Sequence, residues 1–452
     1  MVPLFTAMEK TFNFKVLGCR MNHAEQREME SVLRARGLTP NSDAPDIEVV
    51  HTCSVTGQAA AKSRNAIRRA KKSGKTVFVT GCFTGTDPDV ASELGDVIVK
   101  QEGSVPMIER FAQAVDAYLQ LPTPESVKRV ETVSLPIATL PTTKANHVRA
   151  ELRIQDGCDA HCTFCIIPKI RTTLRSKTID DVVTEATRLV ELGHQEVVFT
   201  GVFIGAFGHE TALRRKQTTP DAEHLADLFD AVAQVKGLKR LRISSMEPGD
   251  VTEPLLDAMV ANQPIVVPHL HLPLQSGSKQ VLRKMNRQYD IEDYMEMIAM
   301  TKERLLINGL PPAITTDIIC GFPTETEDDF AQTVTVAEKV GYLHMHVFPY
   351  SIRTGTAAAR WKQLPPTVVR ERVNQLLELD ESLSLSYRKQ LLGKQVEVML
   401  EQDLGDGTWK GRCEHYAEIT LKTSGTKGTL VPAKVTEVNP DSTIAMPTLQ
   451  II

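Results

Sequence analysis

Six of the eight cysteines in this 452-residue chain fall into two sets of three. The tighter set is Cys158, Cys162 and Cys165, in the stretch QDGCDAHCTFC. Iron–sulfur clusters are held by Cys thiolates, normally one per iron. Three thiolates this close together hold three irons of a 4Fe–4S cube and leave the fourth open. An open iron on a reducible cluster is a place to bind a substrate and pass it one electron. Two other uses of the spacing stand beside this one. Positions i, i+4 and i+7 share a helix face, where free Cys is commonly buried. His161, next to Cys162, keeps a zinc site in play. Gly157, Asp159 and Pro168 read as a loop and not a helix face. The second set is dispersed: Cys19, Cys53 and Cys82 follow the apolar runs FNFKVLG, DIEVVHT and TVFVTG.

The elements that must position these thiols follow from periodicity. Over residues 10–120, short apolar runs alternate with amphipathic segments such as HAEQREMESVLRARG and a helix from Gly57 to Lys72. This βα pattern predicts a parallel sheet, and ligands of open α/β sheets sit beyond the carboxyl ends of the strands. Cys19, Cys53 and Cys82 each occupy such an end and are expected to converge, with three separate buried thiols as the alternative. Residues 121–147, with Pro122, Pro124, Pro136 and Pro141, read as a linker. A second βα series over 148–365 has strands near 150–155, 195–200, 239–244, 267–272, 313–319 and 343–349. Six units predict a partial, open (β/α)6 barrel with its site at the carboxyl strand ends, where the Cys158 loop lies. A connecting helix over 366–390 then leads to a tail, 391–452, whose period-2 runs GKQVEVMLEQ, GRCEHYAEITLKT and GTLVPAKVTEV predict a small antiparallel β-barrel.

Composition sets broad bounds. Apolar content of 42% and charged content of 24% are ordinary for a soluble globular protein. MVPLFTAMEK has no basic segment followed by an apolar run, and no stretch approaches 18 apolar residues, so neither a signal peptide nor a membrane span is expected. Clustered Cys in such a chain argues for metal or redox use over disulfides, and the expected location is cytoplasmic. The formal charge of −4 does not point to nucleic acid, but charge is uneven. The helix after Cys53 carries Lys62, Arg64, Arg68, Arg69, Lys71 and Lys72, with Lys75 beyond it and no acidic residue. Such a run is either a solvated face or a surface that steers a polyanion to the neighbouring thiols. Arg214, Arg215 and Lys216 form a weaker basic cluster. Cys320 and Cys413 read as core thiols, and His269 and His271 as packing or hydrogen-bonding residues.

Cys-x3-Cys-x2-Cys after a strand, with Phe164 before the last Cys, resembles the radical S-adenosylmethionine (SAM) superfamily. LGCRMN, HTCSVT, TGCF, IQDGC…FCIIP and HVFPYSIRTGT are similar to the methylthiotransferases of that superfamily, over nearly the whole length. The resemblance implies a Rossmann-like N-terminal domain, a radical SAM barrel and an RNA-contacting, TRAM-like tail barrel. It implies 4Fe–4S clusters on both Cys trios and SAM chelated at the open iron of the Cys158 cluster. Reductive cleavage of SAM to a 5′-deoxyadenosyl radical would then remove hydrogen from carbon 2 of an adenine. The other cluster would supply or carry sulfur, and a further SAM the methyl group. Candidate SAM contacts at the barrel strand ends are Phe164, Thr200, Gly201, Ser244, Ser245, Glu247, Gln275, Ser276, Arg287, Asp317, Gly321 and Phe322. The implied partners are a tRNA anticodon stem-loop, met by Lys62, Arg64, Arg68, Arg69, Arg171 and Arg175, and an electron donor such as flavodoxin or ferredoxin; a monomer is expected.

Family branches modify isopentenyl-adenosine in tRNA, threonylcarbamoyl-adenosine in tRNA, or an aspartate of a ribosomal protein. HTCSVTGQAAAKSRNAIRRA and FTGVFIGAFG look most like the threonylcarbamoyl branch. Three departures stand out: His51 where Asn is usual, IPKIRTTLRS for IPYARGRSRS, and GFPTET for GFPGET. A radical SAM enzyme whose second cluster only relays electrons, and a non-catalytic Fe–S RNA-binding protein, are the readings from other classes.

Overall fold

Five parallel strands build the N-terminal sheet, in the order β2 (Thr39–Pro40), β1 (Thr11–Val16), β3 (Ile47–Thr52), β4 (Thr76–Gly81), β5 (Val97–Ile98). The computed structural model describes residues 10–101, 105–121, 148–217, 224–307 and 309–448, so the linker expected over 121–147 lies, apart from Leu121, outside the described residues. Every residue of β3 is buried because both faces of the sheet are covered. Val49 and Phe78 pack with Met29 and Leu33 of helix α1 (Arg20–Ala35), whereas Val50, Val77 and Val79 pack with Ala60 and Ile67 of helix α2 (Gly57–Lys72). Thr56 caps α2, its hydroxyl accepting from the Ala59 amide at 3.1 Å.

The central region is the expected partial barrel. Strands β6 (Arg149–Arg153), β9 (Glu196–Thr200) and β10 (Arg240–Ile243) pair in parallel, as do β11 (His269–His271), β12 (Ala313–Cys320) and β13 (His344–Pro349). Parallel bridges Leu241–Val266 and Ser245–His271 join the two triplets. Between β6 and β9 a short antiparallel pair, β7 (Gln155–Asp156) with β8 (Arg175–Ser176), frames the Cys158 loop. β6 and β13 are left as the open edges, and α1 packs on β6.

The long helix Pro366–Lys389 packs on β13 and leads to a closed five-stranded barrel, in the order β14 (Gln395–Gly405), β15 (Thr408–Arg412), β16 (Glu418–Lys422), β18 (Thr443–Pro447), β17 (Leu430–Val438). Two details depart from the sequence expectation. The β16–β18 pairing is parallel. GRCEHYAEITLKT is not one strand: it breaks at Cys413–Ala417, where the Cys413 amide bonds the Ala417 carbonyl at 3.1 Å and Tyr416 takes φ 67°. No Gly, Pro or Asn marks this turn. It is held from outside: the buried Arg242 of β10 donates to the carbonyls of Cys413 at 2.9 Å and Glu414 at 3.1 Å. Tyr416 thereby plugs the lower end of the central barrel, its ring 4.3 Å from His269 and its hydroxyl accepting from Arg20 at 2.8 Å.

Candidate iron–sulfur active site

Cys19, Cys53 and Cys82 follow β1, β3 and β4 at one edge of the N-terminal sheet. Gly18, at φ 115°, lets the first two ends meet: a Cβ there would lie 2.7 Å from the Cys53 Cβ and 3.1 Å from its sulfur. Asn22 ties the ends together, donating to the carbonyls of Leu17 at 2.6 Å and Thr52 at 2.9 Å. Ser63 of α2 brackets Cys53, accepting from its amide at 3.1 Å and donating to its carbonyl at 2.7 Å. Burial raises the Cys53 thiol and pushes Cys82 up to about 12, with the other thiols of the trio adding to the shift.

Cys158, Cys162 and Cys165 lie in the loop after β7. Gly157, at φ 85°, is pressed against the next segment; a Cβ would fall 2.1 Å from the Thr173 carbonyl oxygen. The loop hangs on hydrogen bonds from the Cys158 amide to the Arg171 carbonyl (3.0 Å), from Thr163 N to Met285 O (3.0 Å) and from Asn286 to the His161 carbonyl (2.9 Å). Burial raises Cys158 strongly and takes Cys165 to about 12. The Arg287 guanidinium lies 3.2 Å from the Cys162 sulfur. Backbone N–H groups of Val55, Ala160 and Ile167 favour the thiolates of Cys53, Cys158 and Cys165. N–H donors to cluster sulfurs are one of the levers that set cluster potential.

These residues fit iron–sulfur clusters better than single ions. A tetrahedral zinc with 2.3 Å bonds needs sulfurs about 3.8 Å apart. Among the described residues, neither trio brings its three sulfurs within 4.8 Å of one another. The thiols are too buried to ionise unaided, and iron is the countercharge that would let them. SAM finds a matching cradle. Glu247, buried, has both carboxylate oxygens without a hydrogen-bond partner and lies 3.5 Å from Arg287. Phe164 and Phe322 make an edge contact at 6.5 Å behind the loop. Thr200, Gly201, Ser244, Ser245, Gln275 and Asp317 all stand at or near the carboxyl ends of the barrel strands. Two candidates are used otherwise. Ser276 is buried, with its hydroxyl on the Ser278 amide and Thr333, and Gly321 (φ 70°) makes room for Val369.

The two trios are neighbours. Cys82 packs on Ile166 and Ile170, and Ile166 directly follows Cys165. Gly57 N bonds Ser351 Oγ at 2.8 Å, and Arg353 donates to the Ser54 carbonyl at 2.8 Å, pinning the Cys53 loop to the segment after β13. Beneath lies a buried ionic clamp that the sequence reading missed. Arg171 holds Glu25 of α1 through two 2.9 Å contacts and Asp156 at 2.7 Å, while His51 reaches Glu25 at 3.0 Å. Arg153 joins Glu28 to Asp156. This corrects the expectation that Arg171 and Arg175 meet RNA: both are buried, and Arg171 is spent on the clamp. Arg214 is likewise engaged, 3.3 Å from Asp250. Lys62, Arg68 and Arg69 are exposed on α2, with Arg64 half-buried. The clamp had a faint signal, since Glu25 and Glu28 share the buried stripe of α1 with Met21, Ala24 and Met29.

Comparison with known proteins agrees with this geometry. Residues 152–337 match the Radical SAM superfamily, and residues 11–99 match Uncharacterized protein family UPF0004. The chain is 32% identical over 444 residues to the threonylcarbamoyladenosine tRNA methylthiotransferase MtaB of Bacillus subtilis, covering 94% of this chain and 93% of that protein. It is 33% identical over 403 residues to the tRNA-2-methylthio-N(6)-dimethylallyladenosine synthase of Leifsonia xyli, covering 86% and 72%. The radical SAM methyltransferase TsrM from Kitasatospora setae has a similar fold, with TM-score 0.54 and 14% identity over 78% of this chain and 77% of that one. The chain belongs to the radical SAM methylthiotransferase family, whose radical SAM half implies one 4Fe–4S cluster and SAM.

Proposed function

We propose that the protein replaces the hydrogen on carbon 2 of N6-threonylcarbamoyladenosine, next to the anticodon of a tRNA, with a methylthio group, using a 4Fe–4S cluster on each Cys trio. The observation that carries the reading is the packing of Cys82 on Ile166, beside Cys165. Two adjacent sets of three thiolates suit a reaction in which carbon activation and sulfur delivery share one substrate. The hydrogen on carbon 2 is not acidic, so general-base chemistry is futile; the bound clusters and SAM supply the one-electron cleavage, sulfur and methyl group required.

The chain's own residues bind and orient. Cys158, Cys162 and Cys165 hold the SAM-binding cluster, and Cys19, Cys53 and Cys82 the second. Glu247 would accept the SAM ammonium, and Arg287 lends positive charge at Cys162. The exposed cations of α2 draw the RNA backbone towards Cys53, whose loop α2 follows. The protein works as a cytoplasmic monomer fed by a small reductant such as flavodoxin or ferredoxin. Among the described residues no helix is long and apolar enough to cross a membrane. The choice of substituent is supported by the motifs around Cys53 and Gly201 and by a polar barrel interior with no apolar lining for a dimethylallyl group.

The test is mass spectrometry of tRNA nucleosides from cells with and without the gene, alongside an anaerobic assay of the reconstituted protein. Loss of the methylthio form of threonylcarbamoyl-adenosine is expected. Loss of the methylthio dimethylallyl nucleoside instead would overturn the substituent. Unchanged tRNA would turn the reading to the ribosomal-protein branch.

A further inference from the structure

The inner wall of the open barrel edge carries a graded row of side chains. On β13, Met345 and Val347 pack into the helix-facing core, so His344, His346 and Phe348 face the interior. On β12, Ile314, Ile318 and Cys320 go to that same core, leaving Thr315 and Asp317 inward. Because β13 is an edge strand, its inward row is open: Phe348 is 42% exposed, and His344 and His346 are exposed too. Alternate residues of a strand step about 6.8 Å. From the cysteine end downward the row reads Tyr350, Phe348, His346, His344.

Each step has a distinct character. Tyr350 is committed to Phe322, with ring centroids 5.7 Å apart. Phe348 lies 6.4 Å from the His346 ring, and its exposed side chain is absorbed by no core cluster. His346 meets His271 at 5.7 Å between centroids, and His271 Nε2 lies 3.3 Å from Asp317 Oδ1. Thr315 fixes His271 by a 2.9 Å contact to Nδ1. The ligand atoms of His271, Asp317 and His346 all lie within 4.8 Å of one another. One step further down, His344 is taken by Asp380 at 2.8 Å.

We propose that Phe348 is the platform on which the target adenine stacks, and that His346 with the His271–Asp317 pair receives the polar tail of its N6 substituent. The inference rests on the threonylcarbamoyl reading above. Splayed-out bases of RNA loops are held by aromatic side chains, and Phe348 offers one just below the aromatic group behind Cys165. A tail leaving N6 towards the next step meets imidazole N–H groups, which donate to a carboxylate. The Asp317 carboxylate accepts from a hydroxyl or amide. An apolar dimethylallyl tail would leave these groups unpaired, the condition under which polar sites discriminate most strongly.

The experiment measures anaerobic dissociation constants, by fluorescence anisotropy, for the reconstituted full-length protein with SAM present and no reductant. The probes are anticodon stem-loops carrying either threonylcarbamoyl- or dimethylallyl-adenosine. F348A is expected to weaken both RNAs about tenfold. H346L is expected to weaken the threonylcarbamoyl RNA about tenfold and the other less than twofold, with H346Q restoring most of the preference through its amide N–H. Both positions are exposed, and unchanged cluster absorption checks that the variants are intact. Equal weakening of both RNAs by H346L, or unchanged binding in F348A, overturns the assignment. A wild-type protein that prefers the dimethylallyl RNA would sink the substrate reading itself. A wild-type preference for threonylcarbamoyl that survives in H346L sinks only the wall.

Discussion

The two cysteine trios reach similar ends by opposite routes. Cys158, Cys162 and Cys165 sit in one loop, and their mutual position depends on a few local bonds such as those from Cys158 N and Thr163 N. Cys19, Cys53 and Cys82 come from three strands, and their meeting depends on the whole parallel sheet, on Gly18 and on Asn22. A ligand set written into a loop tolerates disturbance elsewhere. One assembled from strand ends is as stable as the packing beneath it, which here includes a buried ionic clamp to the neighbouring barrel.

The largest test of the contrast removes one ligand from each set. C158A and C82A should each lower the iron bound from about eight to about four per chain. Only C158A should abolish SAM cleavage, read as 5′-deoxyadenosine; C82A should keep cleavage and lose the methylthiolated product. Equal losses in both assays would erase the division of labour. Next in size is R171M, which leaves Glu25 and Asp156 buried without their cation and should cost about 3–5 kcal/mol in urea unfolding. Burial opposes ionisation of Glu25, but Arg171 and His51 outweigh it and hold its carboxyl well below the ordinary 4.5. A depressed folded pKa stabilises above the unfolded value and is lost as pH falls through the folded one. The wild-type clamp therefore persists at pH 5 and fails only in stronger acid. In R171M the Cys19–Cys53–Cys82 cluster should be lost before the other, as read by iron content across a urea series.

The same contrast explains what the chain discloses to a reader. The loop trio was legible because its chemistry is written in adjacent positions. The assembled trio was legible because each Cys follows an apolar run, and parallel sheets bring such ends together. α2 was readable from Gly57 to Lys72, with its cap at Thr56 and its apolar Ala60 and Ile67 on one side. The clamp was hidden because Glu25 and Arg171 are ordinary surface residues until α1 docks on β6. Basic character led Arg171 towards RNA for the same reason. The turn at Cys413–Ala417 was hidden because Tyr416 takes its left-handed conformation under the pull of Arg242 and Arg20, contacts remote in sequence. The row on β13 was partly visible as alternation in HMHVFP, but only the open edge gives His346 and Phe348 somewhere to look.

Two glycines make a matched pair for a finer test. G157A drives a Cβ towards the Thr173 carbonyl, and G18A drives one towards Cys53, each at a positive φ that costs about 1–3 kcal/mol without any clash. Each should reduce occupancy of its own cluster and spare the other, so that G157A slows SAM cleavage and G18A does not. A loss of both clusters in G157A would mean that the loop is less autonomous than its local bonds imply.

The smallest expected effect concerns how RNA finds the assembled trio. α2 begins four residues after Cys53, and Lys62 and Arg69 line a cavity with Lys15 and Lys75 on its flank. Charges that contact phosphate weaken binding uniformly across sequences, and each phosphate lost lowers the slope of log affinity against log salt by about 0.7 for single-stranded RNA. K62A/R69A should thus bind stem-loops a few-fold more weakly at 0.15 M salt, flatten the salt slope by about one to one and a half units, and leave the preference between N6 substituents intact. If the double variant changed that preference while keeping the slope, α2 would be acting on the base and not on the backbone. The loop trio has no comparable basic flank, because Arg171 and Arg175 are buried. The assembled trio therefore stands nearer the path of the polyanion, as a group that must meet the substrate directly should.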